Sequence, residues 1–160
     1  MIMIAMYTGC RIEEICRLYV KSVITKEKIK CLDIDESKTD AGVRITPIHS
    51  RLLPEIERMV KDSSDGYLIK STTKNKYNER SSALSKKFGR MKTEMGYDKT
   101  MVFHSIRKTV TTQLENSETP TSWLKSIIGH ERGDITYDVY SDGPTLVNKK
   151  RFIEKLKYNL

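Results

Sequence analysis

Apolar positions recur along this chain at two periods, and the switches between them divide it into three stretches. Met1 to Tyr7 is apolar on almost every face, the pattern of a helix buried from all sides. Thr8 and Gly9 interrupt it, and from Arg11 onward Ile12, Ile15, Cys16 and Tyr19 share one helical face. Between Ser22 and Ile48 the period shortens. Val23-Ile24, then Ile29 to Ile34, then Val43 to Ile48 predict three short strands with polar turns at 25–28 and 36–42, and Pro47 closing the last strand. Helical spacing then returns at Leu52, Leu53, Ile56, Met59 and Val60, before the turn at 62–66. A short extended piece, Tyr67-Leu68-Ile69, leads into a polar, basic loop over 71–78. The next helix is predicted over 82–95, carrying Leu84, Phe88, Met91 and Met95 and stopped at Gly96. Further helices are expected over 104–114, then after Pro120 through Trp123, Leu124, Ile127 and Ile128, and over 146–156, with a short helical turn at 135–140. The expected fold is α+β and mainly α-helical, with a small three-stranded antiparallel sheet near the N-terminus.

Composition narrows the class. A chain of 160 residues is long enough for one domain with its own core. It has no run of 18 apolar residues, so no membrane-spanning segment is expected. Lys and Arg number 29 against 21 Asp and Glu, a net charge of +8, which favours a polyanionic partner and salt-sensitive association. Cys10, Cys16 and Cys31 are odd in number and lack the Cys-x2-Cys spacing, which argues against a zinc knuckle or a disulfide framework. Buried, reduced thiols in the cytoplasm are expected. The apolar start running into Thr8-Gly9-Cys10 superficially suggests a lipoprotein signal, but it has no basic leader and is too short. That start also lacks a capping residue, so the chain is expected to begin inside a larger protein. His49 has no motif around it and is expected at the surface.

Several residues carry chemistry. Arg11 opens a helix, where free N–H groups and the positive dipole end favour an anion. His104 and Arg107 stand three residues apart, on one helical face. Gly129-His130 closes an apolar helix, and Tyr137 and Tyr140 follow on a shared face. Lys38 lies on or beside the second hairpin turn, with Lys28 and Lys30 as competitors. Attack of a phenol on a phosphodiester needs donors around the non-bridging oxygens, loss of a proton from a group of pKa near ~10, and a proton for the leaving alkoxide. Arginine's charged planar fork suits the first task and a lysine on a hairpin suits the last. Each residue also has a plain structural role open to it. Arg11 can form a surface ion pair, His104 and Arg107 can pair with Glu115 or Glu118, Gly129-His130 can cap a helix, and Tyr140 can pack beside Val139.

The order of the motifs is Thr8-Gly9-x-Arg11-x-x-Glu14, Lys38-Thr39 with Arg44 and Pro47 in the next strand, His104-x-x-Arg107, Gly129-His130, then Tyr140. In this the chain resembles, over residues 1–160, the catalytic domain of the tyrosine recombinases (the phage integrase family). The resemblance implies that Arg11, Lys38, His104, Arg107 and His130 activate one phosphate. Family spacing selects Tyr140 over Tyr137 as the nucleophile, forming a 3′-phosphotyrosine and freeing a 5′-hydroxyl without metal, cofactor or ATP. The implied partner is double-stranded DNA, with a homotetramer assembled on it. Thr39, Arg44, Lys74, Lys76, Arg80, Lys86, Lys87 and Arg90 are the expected DNA contacts. The amphipathic tail over 146–160 is expected either to dock on a neighbouring protomer or to pack on its own domain. Family members carry an N-terminal DNA-clamping domain, so this chain is expected to be a fragment that binds DNA weakly and does not recombine alone. A bacterial or phage-encoded cytoplasmic protein is implied. Rival readings are a type IB topoisomerase and a non-catalytic, DNA-binding prophage remnant.

Overall fold

The structure, a computed structural model, describes residues 1–37, 39–70, 75–130 and 143–159. Lys38, residues 71–74, residues 131–142 and Leu160 are outside it, and with them the helical turn expected at 135–140.

Helix α1, Ile2–Thr8, has no exposed residue, as its unbroken apolar pattern requires. Thr8 is its last residue rather than a breaker. Its hydroxyl donates back to the Ile4 carbonyl at 2.6 Å and accepts the Cys10 N–H at 3.1 Å. The stop comes from Gly9, left-handed at φ 66°, whose N–H reaches the Ala5 carbonyl at 2.8 Å. A side chain there would meet Ile128 Cγ2 at 3.2 Å, so Gly9 also lets the later helices approach closely. Helix α2, Ile12–Arg17, begins at once, with Glu14 accepting the N–H of Arg11 at its N-cap (2.9 Å).

The three strands form an antiparallel sheet in sequence order: β1 Val23–Lys26, β2 Ile29–Ile34 and β3 Arg44–Pro47. Pairing of Lys26 with Ile29 leaves a two-residue turn, tighter than the polar stretch suggests. Glu27 and Lys28 take φ of 51° and 63° to make it, a left-handed pair usually given to Asn-Gly. Pro47 ends β3, as its missing N–H favours.

The remaining elements are helical: α3 Leu53–Asp62, α4 Ser82–Glu94, α5 Phe103–Asn116, α6 Thr121–Ile128 and α7 Leu146–Ile153. The extended piece at Tyr67 bridges to Tyr19, and their rings stack at 4.3 Å. One core joins the layers through Ile4, Tyr7, Ile15, Leu32, Ile56, Leu114, Ile127 and Ile153. Helix α5 lies against α1 and α6, while α4 buries no residue fully and is fastened by Phe88 edge-on to Phe103 at 5.2 Å. Cys10, Cys16 and Cys31 are free and buried. No helix among the described residues is long and apolar enough to cross a membrane.

The C-terminal segment bears on two expectations. The tail packs on its own domain in this chain. Phe152, Ile153 and Leu156 join the core, and the Tyr158 hydroxyl donates to the Met6 carbonyl at 2.7 Å. His49, expected at the surface, is 3% exposed. Its ring packs 4.3 Å from that of Tyr7, and its Nε2 lies 3.5 Å from Glu154 on the tail. A histidine next to an apolar helix and an acidic tail has partners that no local motif announces.

Candidate active site

Three separate turns meet at one backbone carbonyl. The first is the α1–α2 turn. Its Arg11 is held by Glu14, which takes both the Arg11 N–H and the Nη1 donor (2.7 Å). This leaves Nη2 pointing at the carbonyl of Gly129, 3.4 Å away. The second is the start of α5, whose Arg107 is 3% exposed. Its Nη1 donates to the Gly9 carbonyl at 2.6 Å and its Nη2 to the same Gly129 carbonyl at 3.1 Å. The third is the end of α6, where Gly129 turns left-handed at φ 73° and presents that carbonyl. Arg11 and Arg107, 96 positions apart in sequence, therefore share an acceptor.

The histidines border this pair. His104 stands on α5 one turn before Arg107, and His130 follows Gly129 directly; both side chains reach solvent. Burial lowers the pKa of each below the ordinary imidazole value, and the Arg107 and Arg11 guanidiniums lower it further. His104 itself acts on His130 in the same direction. The four groups thus occupy one electrostatic neighbourhood, with both imidazoles biased toward the neutral form. Burial, reinforced by Arg11 and Arg44, brings the Arg107 guanidinium down to about 10, far enough above neutrality that it stays charged.

Glu14 is the acidic centre of the arrangement. Burial alone would raise its pKa. Arg44, the Ser37 hydroxyl (2.7 Å) and Arg11 more than offset this, and the carboxyl lies below its usual range. Among the described residues Glu14 is the acidic group that contacts these arginines, through Arg11 at 2.7 Å and Arg44 at 3.3 Å. Three guanidiniums against one carboxylate leave the pocket cationic, and the buried Nε–H of Arg107 has no acceptor among the described residues. Such a site is suited to an anion with several oxygens.

Two of the expected DNA contacts, Arg44 and Arg80, are buried and engaged by the protein itself. The Arg44 side chain is 4% exposed, and it donates to the carbonyls of Ile127 (3.0 Å) and Gly42 (2.6 Å), to Cys10 Sγ (3.2 Å) and to Glu14. Arg80 is 7% exposed, with its guanidinium 3.4 Å above the Tyr67 ring and its Nε donating to the Cys16 carbonyl at 3.0 Å. Both charges are held by protein groups, an arrangement that hydropathy does not reveal. Lys76, Lys86, Lys87 and Arg90 are exposed as expected, Lys76 lying 4.9 Å over the Tyr77 ring. Thr39 is half-buried beside the hairpin, its carbonyl accepting the Gly42 N–H at 2.8 Å. Lys38, Lys74, Tyr137 and Tyr140 lie outside the described residues.

Sequence reasoning missed the supporting groups. Glu13 takes the N–H groups of Arg80 (3.0 Å) and Ser81 (2.8 Å), pinning the start of α4 onto α2. Arg17 joins Glu13, Glu36 and the Asn78 carbonyl, linking α2 to the segment after β2 and to the 75–81 turn. The i, i+3 spacing of Arg11 and Glu14 was the available signal for the hub.

The model of the phage integrase family matches residues 1–144. Among solved structures, the Tn1549 transposon integrase (aa 82–397) in complex with circular intermediate DNA is 25% identical, with a TM-score of 0.60, covering 98% of this chain and 58% of that one. A variant of the same integrase with transposon right end DNA is also 25% identical, with a TM-score of 0.61, covering 97% and 57%. The chain thus spans less than three fifths of the length of those integrase chains. No curated protein sequence matches it significantly. The matched region takes in Arg11, His104, Arg107, Gly129 and His130, all of which the fold gathers at one place. This chain belongs to the phage integrase family.

Proposed function

We propose that this chain is the strand-transfer unit of a site-specific DNA recombinase. The observation that carries the reading is the convergence of Arg11 and Arg107 on the Gly129 carbonyl, with both guanidiniums acting on His104 and His130. A phosphodiester oxygen placed beside that carbonyl would take the paired donors of both guanidiniums, including the unused Nε–H of Arg107. Neutral imidazoles at His104 and His130 add directional donors without further charge repulsion. Tyr140 supplies the phenolic oxygen that attacks phosphorus, its proton passing to a neutral imidazole of the site. The bond to the 5′-oxygen breaks, and Lys38 protonates the departing alkoxide. A 3′-phosphotyrosine remains, and attack by the 5′-hydroxyl of another strand reverses the step and conserves the bond. Guanidiniums and imidazoles supply the charge stabilisation, so the step needs neither metal nor ATP. The partner is duplex DNA, supported by the net charge of +8 and by the DNA-bound state of the similar Tn1549 integrase. Recombination of two duplexes brings four protomers together on DNA.

A nicked suicide duplex, from which the cleaved 5′ fragment diffuses away, tests this with chelator present and no nucleotide. The chain and its Tyr137→Phe variant form a protein–DNA adduct stable to denaturant, and Tyr140→Phe forms none. An adduct that survives Tyr140→Phe, or none with the unsubstituted chain on any cognate duplex, contradicts the reading.

A further inference from the structure

Arg44 adds its charge to the pocket, but its donors are taken by the segments that frame the site. Its one guanidinium reaches four segments: Ile127 at the end of α6, Gly42 in the β2–β3 connection, Cys10 in the α1–α2 turn, and Glu14 in α2. The first leads into Gly129-His130, the second lies in the connection whose sequence includes Lys38, and the last two flank and hold Arg11. Gly129 is packed directly on Arg44, since a Cβ there would lie 2.5 Å from Nη1 and 3.1 Å from the Ala41 carbonyl. A Cβ on Gly42 would likewise lie 1.8 Å from the Ser37 hydroxyl, the group that donates to Glu14. The hairpin, α2 and the α6 terminus are therefore in register through one planar cation.

From this we infer that Arg44 is a positioning residue for the recombinase reaction, aligning the Gly129-His130 turn with Arg11 and with the lysine-bearing hairpin, and that it makes no DNA contact. The inference rests on the function proposed above. Lysine cannot replace it, because one ammonium lacks the fork needed for carbonyls on opposite sides and a carboxylate at once. With lysine there, the Ile127 and Gly42 carbonyls would not both be held. The α6 end would then drift, taking with it the carbonyl that Arg11 and Arg107 share.

The test uses Arg44→Lys in the full chain, with three readings. Adduct formation on the suicide duplex falls about 100-fold, the scale expected when reacting groups are displaced by an ångström. DNA affinity stays within about twofold, and the slope of log affinity against log salt is unchanged; a lost phosphate contact would lower that slope by about one. Histidine NMR titration shows the His130 pKa rising toward the ordinary value, as its turn loses burial and leaves the Arg107 and Arg11 guanidiniums, with a smaller shift at His104. A lowered salt slope, an unchanged adduct rate or an unmoved His130 overturns the inference. The titration needs no catalysis, so an unsubstituted chain that forms no adduct defeats the recombinase reading and still leaves Arg44 decided. Exchange of the Arg44 Nε–H in the unsubstituted protein guards against a variant that does not fold. The proton stays protected with and without duplex DNA, and rapid exchange in the free protein contradicts a buried anchor.

Discussion

A backbone carbonyl flanked by two guanidiniums leaves Gly129 little room for change. Its left-handed φ costs an L-residue about 1–2 kcal/mol, and a Cβ would press into the Arg44 guanidinium at 2.5 Å. Gly129→Ala is expected to lower stability by about 2–4 kcal/mol, the sum of backbone strain and overpacking, read as a fall in the urea midpoint at constant slope. It should also lower adduct formation more than its stability loss explains, because the moved atom is the acceptor of both arginines. At this scale the sequence was half legible. Arg11, His104, Arg107 and His130 are announced by short local spacings and meet as those spacings suggest. Arg44 and Arg80 carry the same charge as the exposed Lys86 and Arg90, and what separates them is a carbonyl or ring contributed from far along the chain. For Arg44 that carbonyl is Ile127, 83 positions away.

At the level of elements, period alone located the helices and strands, because each apolar stripe is buried by the layer it faces. It failed where backbone geometry rather than burial decides. The Glu27-Lys28 turn adopts left-handed angles without glycine, and β1 runs two residues further than its apolar pair suggests. The tail was undecided in sequence because an amphipathic helix fits any apolar surface; in the structure α7 is latched by Ser50 and His49 to Glu154 and by Lys150 to the Ile48 carbonyl. That latch is expected to respond to pH. Burial holds the His49 pKa below its ordinary value, partly countered by Glu154. In the window below ~6.5 the unfolded chain therefore binds more protons than the folded one, and stability rises with pH there. Urea titrations between about pH 5 and 7 should show this rise, and His49→Gln should make it shallower, leaving the share of His104 and His130. An unchanged slope in His49→Gln would mean that His49 does not report on the fold.

At the scale of the whole molecule, charge composition treats buried and exposed cations alike, and the fold separates them. A net charge of +8 counts every cation alike, but buried arginines build the scaffold while exposed ones such as Lys86, Lys87 and Arg90 remain open to a phosphate backbone. The cationic pocket itself is assembled by long-range order. Helix α1 carries the α1–α2 turn, α5 carries His104 and Arg107, α6 ends in the shared carbonyl, and the sheet carries the hairpin between them. The proposed function puts one phosphate in that pocket. A structure of the chain on a nicked duplex tests it most directly. Non-bridging oxygens of a single phosphate are expected within about 3 Å of the Arg11 and Arg107 guanidiniums, beside the Gly129 carbonyl, with His104 and His130 on its flanks. A duplex seated elsewhere on the basic surface, with both guanidiniums still bound only to the protein, would contradict it.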